Sequence, residues 1–149
     1  MKVRTATLED IEDAVRFGQL MHAESPHWSR LTFSPEKLRS TMTMLVNEPR
    51  AFLRVVCTDD GVPLGGMGAL LMPHWASDDL YASDLFMFMH PEARGTLAPV
   101  RLVKAYRQWA KENGAKLVLL GITTGVHTEQ TAALFERLGM KRCGVILEE

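Results

Sequence analysis

The sequence predicts an α/β (α+β) fold in which a mixed, twisted β-sheet is flanked by helices. Three observations support this prediction. Apolar residues recur at helical spacing in four segments, and strand-length apolar runs lie between them. An Asp60-Gly61 pair predicts a tight turn between two antiparallel strands. Later in the chain, two apolar runs flank a helical segment, which predicts a parallel crossover.

Six segments have the pattern of strands, either through alternation or through a run of apolar and β-branched residues. The predicted strands are residues 2–6, 51–57, 64–72, 80–90, 115–122 and 143–149. With the helices, the predicted order is β-α-α-β-β-β-α-β-α-β. The apolar run through Met87, Phe88 and Met89 indicates a strand at the centre of the sheet.

The helix boundaries are marked by capping residues. Thr7 and Asp10 have the spacing of a capping box before the first helix. Ser34, followed by a proline, predicts the start of the second helix. Gly114 predicts the end of the third helix, and Thr128 predicts the N-cap of the fourth.

Length and composition restrict the classes of protein to consider. The 149 residues fit one domain, residues 1–149, with a net charge of −1. The charge gives no reason to expect nucleic-acid binding, and no apolar run has the length of a membrane span. The two cysteines have no metal-ligand spacing, so we expect no metal site. Free thiols and the absence of an apolar leader pattern predict a soluble, cytoplasmic protein.

Three motifs, in this order, resemble those of the GNAT superfamily of acyl-CoA-dependent N-acetyltransferases. "VRTATLEDIEDAV" is similar to the opening strand and helix of the family. "MHPEARGTLAPVRLV" resembles its pyrophosphate-binding loop, which has the pattern Gln/Arg-x-x-Gly-x-Gly/Ala. "TAALFERLGMKRCG" resembles its closing helix and turn. The resemblance covers nearly the whole chain and implies acetyl-CoA as the cosubstrate.

The resemblance assigns the pyrophosphate to the loop before the third helix. Arg94 matches the first motif position, but Leu97 replaces a glycine and Pro99 replaces a glycine or alanine. Backbone N–H groups at a helix start attract phosphate, so the implied cradle consists of the backbone groups of residues 94–98. Those residues are Arg94, Gly95, Thr96, Leu97 and Ala98.

The resemblance also assigns the acyl donor to the strand that carries Met87, Phe88 and Met89. In the family, the backbone of this strand pairs with the pantetheine arm as an added strand would. A backbone N–H, of Phe88 or Met89, is then expected to stabilise the oxyanion when an amine attacks the thioester directly. The acceptor is implied to be a primary amine on a small molecule or a protein.

The sequence indicates the proton-transfer groups less clearly than it indicates the loop and the donor strand. Asp84 lies in the donor strand, where family members often place an acid, although a solvated strand-edge carboxylate is the simpler alternative. His127 lies near the last helix, and an imidazole can accept a proton near neutral pH. The family's usual tyrosine acid is replaced by Phe135, whose spacing with Leu134 and Leu138 predicts burial.

Two functions are therefore compatible with the sequence. The first is an acetyl-CoA-dependent N-acetyltransferase. The second is a GNAT-like module that binds CoA or a protein without turnover, which the altered loop and Phe135 favour. Pairing of two copies through the last strands is a further expectation.

Overall fold

The computed structural model describes residues 1–149, which form five strands, four helices and three short 3-10 turns. The strands are β1 (Lys2–Thr5), β2 (Ala51–Cys57), β3 (Pro63–Pro73), β4 (Leu80–Met89) and β5 (Leu117–Leu119). The helices are α1 (Ile11–Glu24), α2 (Pro35–Asn47), α3 (Ala98–Glu112) and α4 (Thr128–Arg137). No helix has both the length and the apolar character needed to cross a lipid bilayer.

The five strands form one mixed sheet in the order β1-β2-β3-β4-β5. β1 to β4 are antiparallel neighbours, and β5 is parallel to β4. The predicted mixed sheet is therefore confirmed, with Gly61 in the β2–β3 turn at φ 97°. The central position predicted for Met87–Met89 is wrong. β3 is the middle strand, and Met87–Met89 pair with β3 alone because β5 ends before reaching them.

Each face of the sheet is covered by helices. On one face, α3 packs Leu102 and Tyr106, both fully buried, against Phe52 and Met67. Its helical spacing with Val103 and Ala110 predicts that Tyr106 is a core residue, and the structure confirms this. On the other face, α1 and α2 cover a smaller apolar cluster that includes Leu53. The sheet therefore separates the α3 side from the α1–α2 side.

The start of α1 is fixed by polar contacts that the sequence predicts. Thr7 and Asp10 form the capping box, and the N–H of Thr7 donates to Asp10 Oδ2 at 2.8 Å. Asp10 also accepts from both terminal nitrogens of Arg4, at 2.8 and 2.7 Å. Hydrogen bonding to Arg4 lowers the pKa of the Asp10 carboxyl, against the effect of its burial. These bonds connect β1 to α1, although the α-helix itself begins only at Ile11.

The prediction of a last strand at residues 143–149 is wrong. This segment has no strand pairing, and Val145, Ile146 and Leu147 are 78–90% exposed. Its β-forming residues pair with no strand of the sheet. Glu148 instead contacts Arg30, in the loop between α1 and α2. β5 is likewise shorter than the predicted 115–122.

Candidate active site

β4 has an open edge over half of its length. β5 pairs only with residues 81–83 of β4, so residues 84–89 have no partner strand on that side. Opposite β3, Gly68 pairs with Phe86 and Ala69 pairs with Asp84, which leaves Leu85 as the extra residue of a β-bulge. β4 therefore has a β-bulge just after its pairing with β5 ends. The unpaired edge of β4 beyond that point is called the gap between β4 and β5.

The backbone groups of Met87 and Met89 face this open edge. The N–H of His90 donates to Leu64 on β3, whereas the carbonyl of Met89 accepts from Arg94 Nε at 3.0 Å and so points away from β3. Because backbone groups alternate between the two edges of a strand, Met87 shares this direction. Phe88 faces β3, and its carbonyl lies against Gly65. Of the predicted donor-strand residues, only Met87 and Met89 present backbone groups at the gap.

Asp84 lies where β4 and β5 separate. Its Oδ1 accepts a hydrogen bond from the N–H of Gly121, which follows β5, at 2.8 Å. Burial raises the pKa of the Asp84 carboxyl above its usual range, and the Gly121 bond only partly opposes this effect. Asp84 is half-buried and accepts a hydrogen bond, so it differs from the fully solvated strand-edge carboxylate of the simpler alternative. A carboxyl with a raised pKa beside a cleft has the property expected of a proton acceptor.

Tyr106 is a neighbour of this carboxyl that sequence pattern identifies only as core. Its hydroxyl donates to the carbonyl of Leu119, the last residue of β5, at 2.9 Å. Burial raises the pKa of Tyr106, and the charge of Asp84 adds to this effect. The hydroxyl stays protonated and fixes the end of β5, so it helps to hold the gap open. No sequence signal distinguishes this role from simple packing.

The loop before α3 presents unused backbone donors. Gly95 has a φ of 77°, and the N–H groups of Gly95 and Leu97 have no acceptor within the chain. Val100, in the first turn of α3, also has a free N–H, which the sequence motif did not include. The N–H of Ala98 is used internally, since it donates to the Thr96 hydroxyl at 3.1 Å. The free donors and the helix dipole together favour an anion at this point.

Thr96 shapes this loop through its side chain. Its hydroxyl donates to the carbonyl of Ala93 at 2.7 Å while it accepts from Ala98. Its own N–H reaches Ala93 at 3.4 Å. Leu97 is 65% exposed and does not pack into the core. The loop shape therefore depends on Gly95 and Thr96, and the leucine side chain leaves the backbone accessible.

Arg94 connects the loop to two other elements. Its Nη2 donates to Glu24 Oε2, at the end of α1, at 2.6 Å. Its Nε donates to Met89, and its guanidinium carbon lies 5.9 Å from the centre of the Phe88 ring. The side chain is thus engaged by protein groups and holds the loop beside the end of β4. No pattern in the sequence could reveal the contact between Arg94 and Glu24.

His127 stands apart from these groups. It occupies the N-cap position of α4 with a left-handed backbone, φ 49°, and its exposed side chain makes no capping bond. The predicted N-cap, Thr128, is instead the first helical residue. His127 has no hydrogen bond with Asp84 or with the loop before α3. Phe135 is 6% exposed, which confirms its predicted burial.

A cavity of about 460 Å³ lies on the opposite face of the sheet, under α1 and α2. His22, Trp28 and Phe33 line it, as does the β4 segment with Leu85 and Phe88. The cavity thus reaches the part of β4 that contains the β-bulge. No three His, Cys, Asp or Glu side chains cluster in a way that could hold a metal ion.

Several solved structures of other proteins share this fold. A crystal structure of a transcriptional regulator from Bacillus halodurans C-125 has a TM-score of 0.81 at 20% identity, covering 99% of this chain and 97% of the other. An aminoglycoside antibiotic 6'-N-acetyltransferase from Acinetobacter haemolyticus gives 0.77 at 12% identity, with coverages of 100% and 97%. A Trypanosoma brucei acetyltransferase gives 0.75 at 16% identity, with coverages of 99% and 97%.

These identities are too low to show more than a common fold. No curated protein matches the sequence. The family comparison is more specific, because the model of the acetyltransferase (GNAT) family matches residues 17–140, most of the chain. The protein belongs to the acetyltransferase (GNAT) family.

Proposed function

We propose that the protein is an N-acetyltransferase that transfers an acetyl group from acetyl-CoA to a primary amine. The observation that carries this proposal is the open edge of β4, which leads directly to the free N–H donors before α3. An extended pantetheine arm can pair with Met87 and Met89, while the pyrophosphate accepts from Gly95, Leu97 and Val100. The pantetheine arm and the pyrophosphate of one ligand would therefore both have backbone partners, first along β4 and then at the start of α3.

Asp84 is the proposed proton acceptor. The amine arrives as an ammonium and must lose a proton before its nitrogen can attack the thioester carbon. Burial raises the pKa of Asp84, so its carboxylate is a better base than that of an ordinary aspartate. Transfer proceeds directly or through one water. His127 remains a second candidate, with fewer contacts in its favour.

The remaining steps follow from the groups near the gap. The N–H of Met87 or Met89 donates to the oxyanion of the tetrahedral intermediate. Collapse of this intermediate breaks the carbon–sulfur bond, and the thiolate leaves. Phe135 has no proton to give, so the proton held by Asp84 passes to the sulfur. The nitrogen loses two protons in total, of which one ends on CoA and the other in solvent.

The direct test measures binding and turnover separately. Calorimetry with acetyl-CoA is expected to show binding, and thiol release with a panel of primary amines is expected to show transfer. Asp84→Asn should lose transfer while it keeps binding. Asp78→Asn is the matched control, because Asp78 is an exposed aspartate without a hydrogen bond.

A non-catalytic module is the second candidate, favoured by the absence of a hydroxyl at Phe135. Binding of acetyl-CoA without thiol release, for every amine tested, would support that candidate over the enzyme. Failure to bind acetyl-CoA would contradict both the enzyme and a CoA-binding module, and would leave a protein-interaction role.

A further inference from the structure

The cavity under α1 and α2 has walls that are fixed by specific contacts. Ser25, fully buried, accepts from the N–H of Trp28 at 2.9 Å and donates to the carbonyl of Thr124. His22 Nε2 lies 2.7 Å from the carbonyl of Leu31, and its ring packs 5.4 Å from that of Phe33. The loop that covers the cavity is therefore held in place by these contacts.

The floor of the cavity is the sheet, where β3 has glycines. Gly65 and Gly66 line the cavity and place no side chain in it. On the helix side, Gly18 of α1 allows α2 to approach closely, because a Cβ there would collide with Leu38. Gly18 thus lets α1 and α2 pack closely together where they cover the cavity. Its volume, about 460 Å³, is roughly three times the ~150 Å³ that accommodates benzene in an engineered cavity.

The charges around the cavity disfavour a cationic ligand. Both lining carboxylates are already paired: Asp10 with Arg4 and Asp13 with Arg16, each at 2.7 Å. The charged lining residues without an ion-pair partner are cations, Lys37 and Arg54. The Arg54 guanidinium carbon lies 4.9 Å from the centre of the Phe52 ring, which packs on the α3 side, so the Arg54 charge lies on the other face of the sheet and Lys37 is the unpaired charge at the cavity.

No free anion is therefore available to an ammonium in the cavity, and a buried charge without a partner is strongly unfavourable. Most of the other lining residues are apolar, among them Ile11, Phe17, Met42 and Phe86. An uncharged chain or ring fits these surroundings. The cavity also contacts Leu85 at the β-bulge, so such a group can be continuous with the atoms that react at the β4 edge.

We propose that the cavity binds an uncharged aliphatic or aromatic group of one of the two substrates. This inference rests on the proposed acyltransfer and specifies its substrates. The group is either the acyl chain of a donor longer than acetyl or the apolar body of the amine acceptor. In both cases the charged or reacting end stays outside, near Leu85, and the hydrocarbon part is buried.

The cavity can be tested without CoA, with 1-octanol as the probe and ligand-observed NMR as the measurement. Ala14 lines the cavity from α1, so Ala14→Phe should fill it and lower octanol affinity at least tenfold. Ala23→Phe is the matched control, since Ala23 lies on the same helix, is exposed and does not line the cavity. Thr41→Phe, from α2, repeats the test if Ala14→Phe does not fold.

Two series of substrates show whether the apolar group belongs to the acyl donor or to the amine acceptor. Octanoyl-CoA is compared with acetyl-CoA by calorimetry, and octylamine is compared with ethylamine by thiol release. Each methylene that becomes fully buried should increase affinity or kcat/KM by about fourfold. We expect a gain of at least tenfold in one series, which Ala14→Phe abolishes and Ala23→Phe retains.

Three outcomes overturn the proposal: no octanol binding, equal octanol binding by the wild type and Ala14→Phe, or no gain with chain length in either series. Failure of the acyltransfer proposal is recognised separately. In that case acetyl-CoA does not bind, and the octanol experiment still decides whether the cavity takes an apolar group.

Discussion

Asp84 and Gly121 are joined by a 2.8 Å hydrogen bond across the point where β4 and β5 separate. The bond lies at the start of the gap and fixes the direction of the carboxylate. It also leaves Asp84 as a half-buried acid with a raised pKa beside the open edge of β4. The position of this one side chain makes the gap a candidate site of proton transfer.

Asp84→Asn should therefore abolish most of the transferase activity. Loss of a positioned general base lowers kcat by about 10²- to 10⁴-fold. The amide oxygen can still accept from Gly121, so the fold and the acetyl-CoA affinity should be retained. Asp78→Asn should leave both activity and affinity unchanged. Full activity in Asp84→Asn would exclude the residue as the base and direct attention to His127.

Stability against pH gives an independent test of the same carboxyl. When the pKa of a carboxyl is higher in the folded state than in the unfolded state, the carboxyl contributes stability at pH values below its unfolded pKa. For aspartate the unfolded pKa is near 3.9. That contribution is lost as the pH rises through the folded pKa, above which the buried charge is unfavourable. Asp84→Asn should thus be more stable than the wild type at pH 7, with the difference shrinking toward pH 4. Urea midpoints at both pH values measure this, and a constant difference would contradict it.

Gly95 should be required for acetyl-CoA binding because of its backbone conformation. At φ 77°, an L-residue costs about 1–2 kcal/mol, so Gly95→Ala should distort the loop or destabilise the fold. Gly114, after α3, has a similar φ of 80° and equally open surroundings. Gly114→Ala should therefore lose comparable stability but keep its affinity. If the two variants bind acetyl-CoA equally well, the loop before α3 is not the phosphate site.

Leu97 allows the contribution of a single N–H group to be measured. Its φ of −77° suits proline, and its side chain is exposed, so Leu97→Pro removes the donor with little loss of packing. A hydrogen bond to a charged group is worth about 1.5–3 kcal/mol, so acetyl-CoA affinity should fall roughly tenfold to hundredfold. Leu97→Ala, which keeps the N–H, should bind like the wild type. Calorimetry on the pair decides, and equal affinities would remove this donor from the site.

Glu24→Gln should release Arg94 and strengthen anion binding. Without the carboxylate, the guanidinium beside the loop is no longer neutralised by Glu24. Affinity for acetyl-CoA should rise about two- to fivefold in low salt, an effect that 0.5 M NaCl should suppress. Glu12→Gln is the control, because it breaks a comparable ion pair, with Arg39, between α1 and α2. A rise in both variants would indicate a general effect of net charge.

Local signals in the sequence were sufficient for most elements of the fold. The Thr7–Asp10 capping box, the Ser34 N-cap and the Asp60-Gly61 turn each depend on neighbours within a few residues. Burial of Phe135 and Tyr106 followed from helical spacing for the same reason. The order of elements, together with the loop motif, was enough to indicate the family.

Strand pairing was harder to predict, because a strand needs a partner whose position the local sequence does not encode. Residues 143–149 have β-forming side chains, but the chain end lies against Arg30 and no strand is formed. For the same reason, the lateral position of Met87–Met89 in the sheet could not be read from their apolar run.

The sequence by itself determined most of the elements, the family, and the loop and donor-strand residues of the candidate site. Only the tertiary structure decided which of them meet. It joined Asp84 to Gly121 and Arg94 to Glu24, turned Met87 rather than Phe88 to the open edge, and left His127 apart. The physical reason is that burial, hydrogen-bond partners and strand edges depend on contacts between residues distant in sequence, whereas capping and helical periodicity depend on near neighbours.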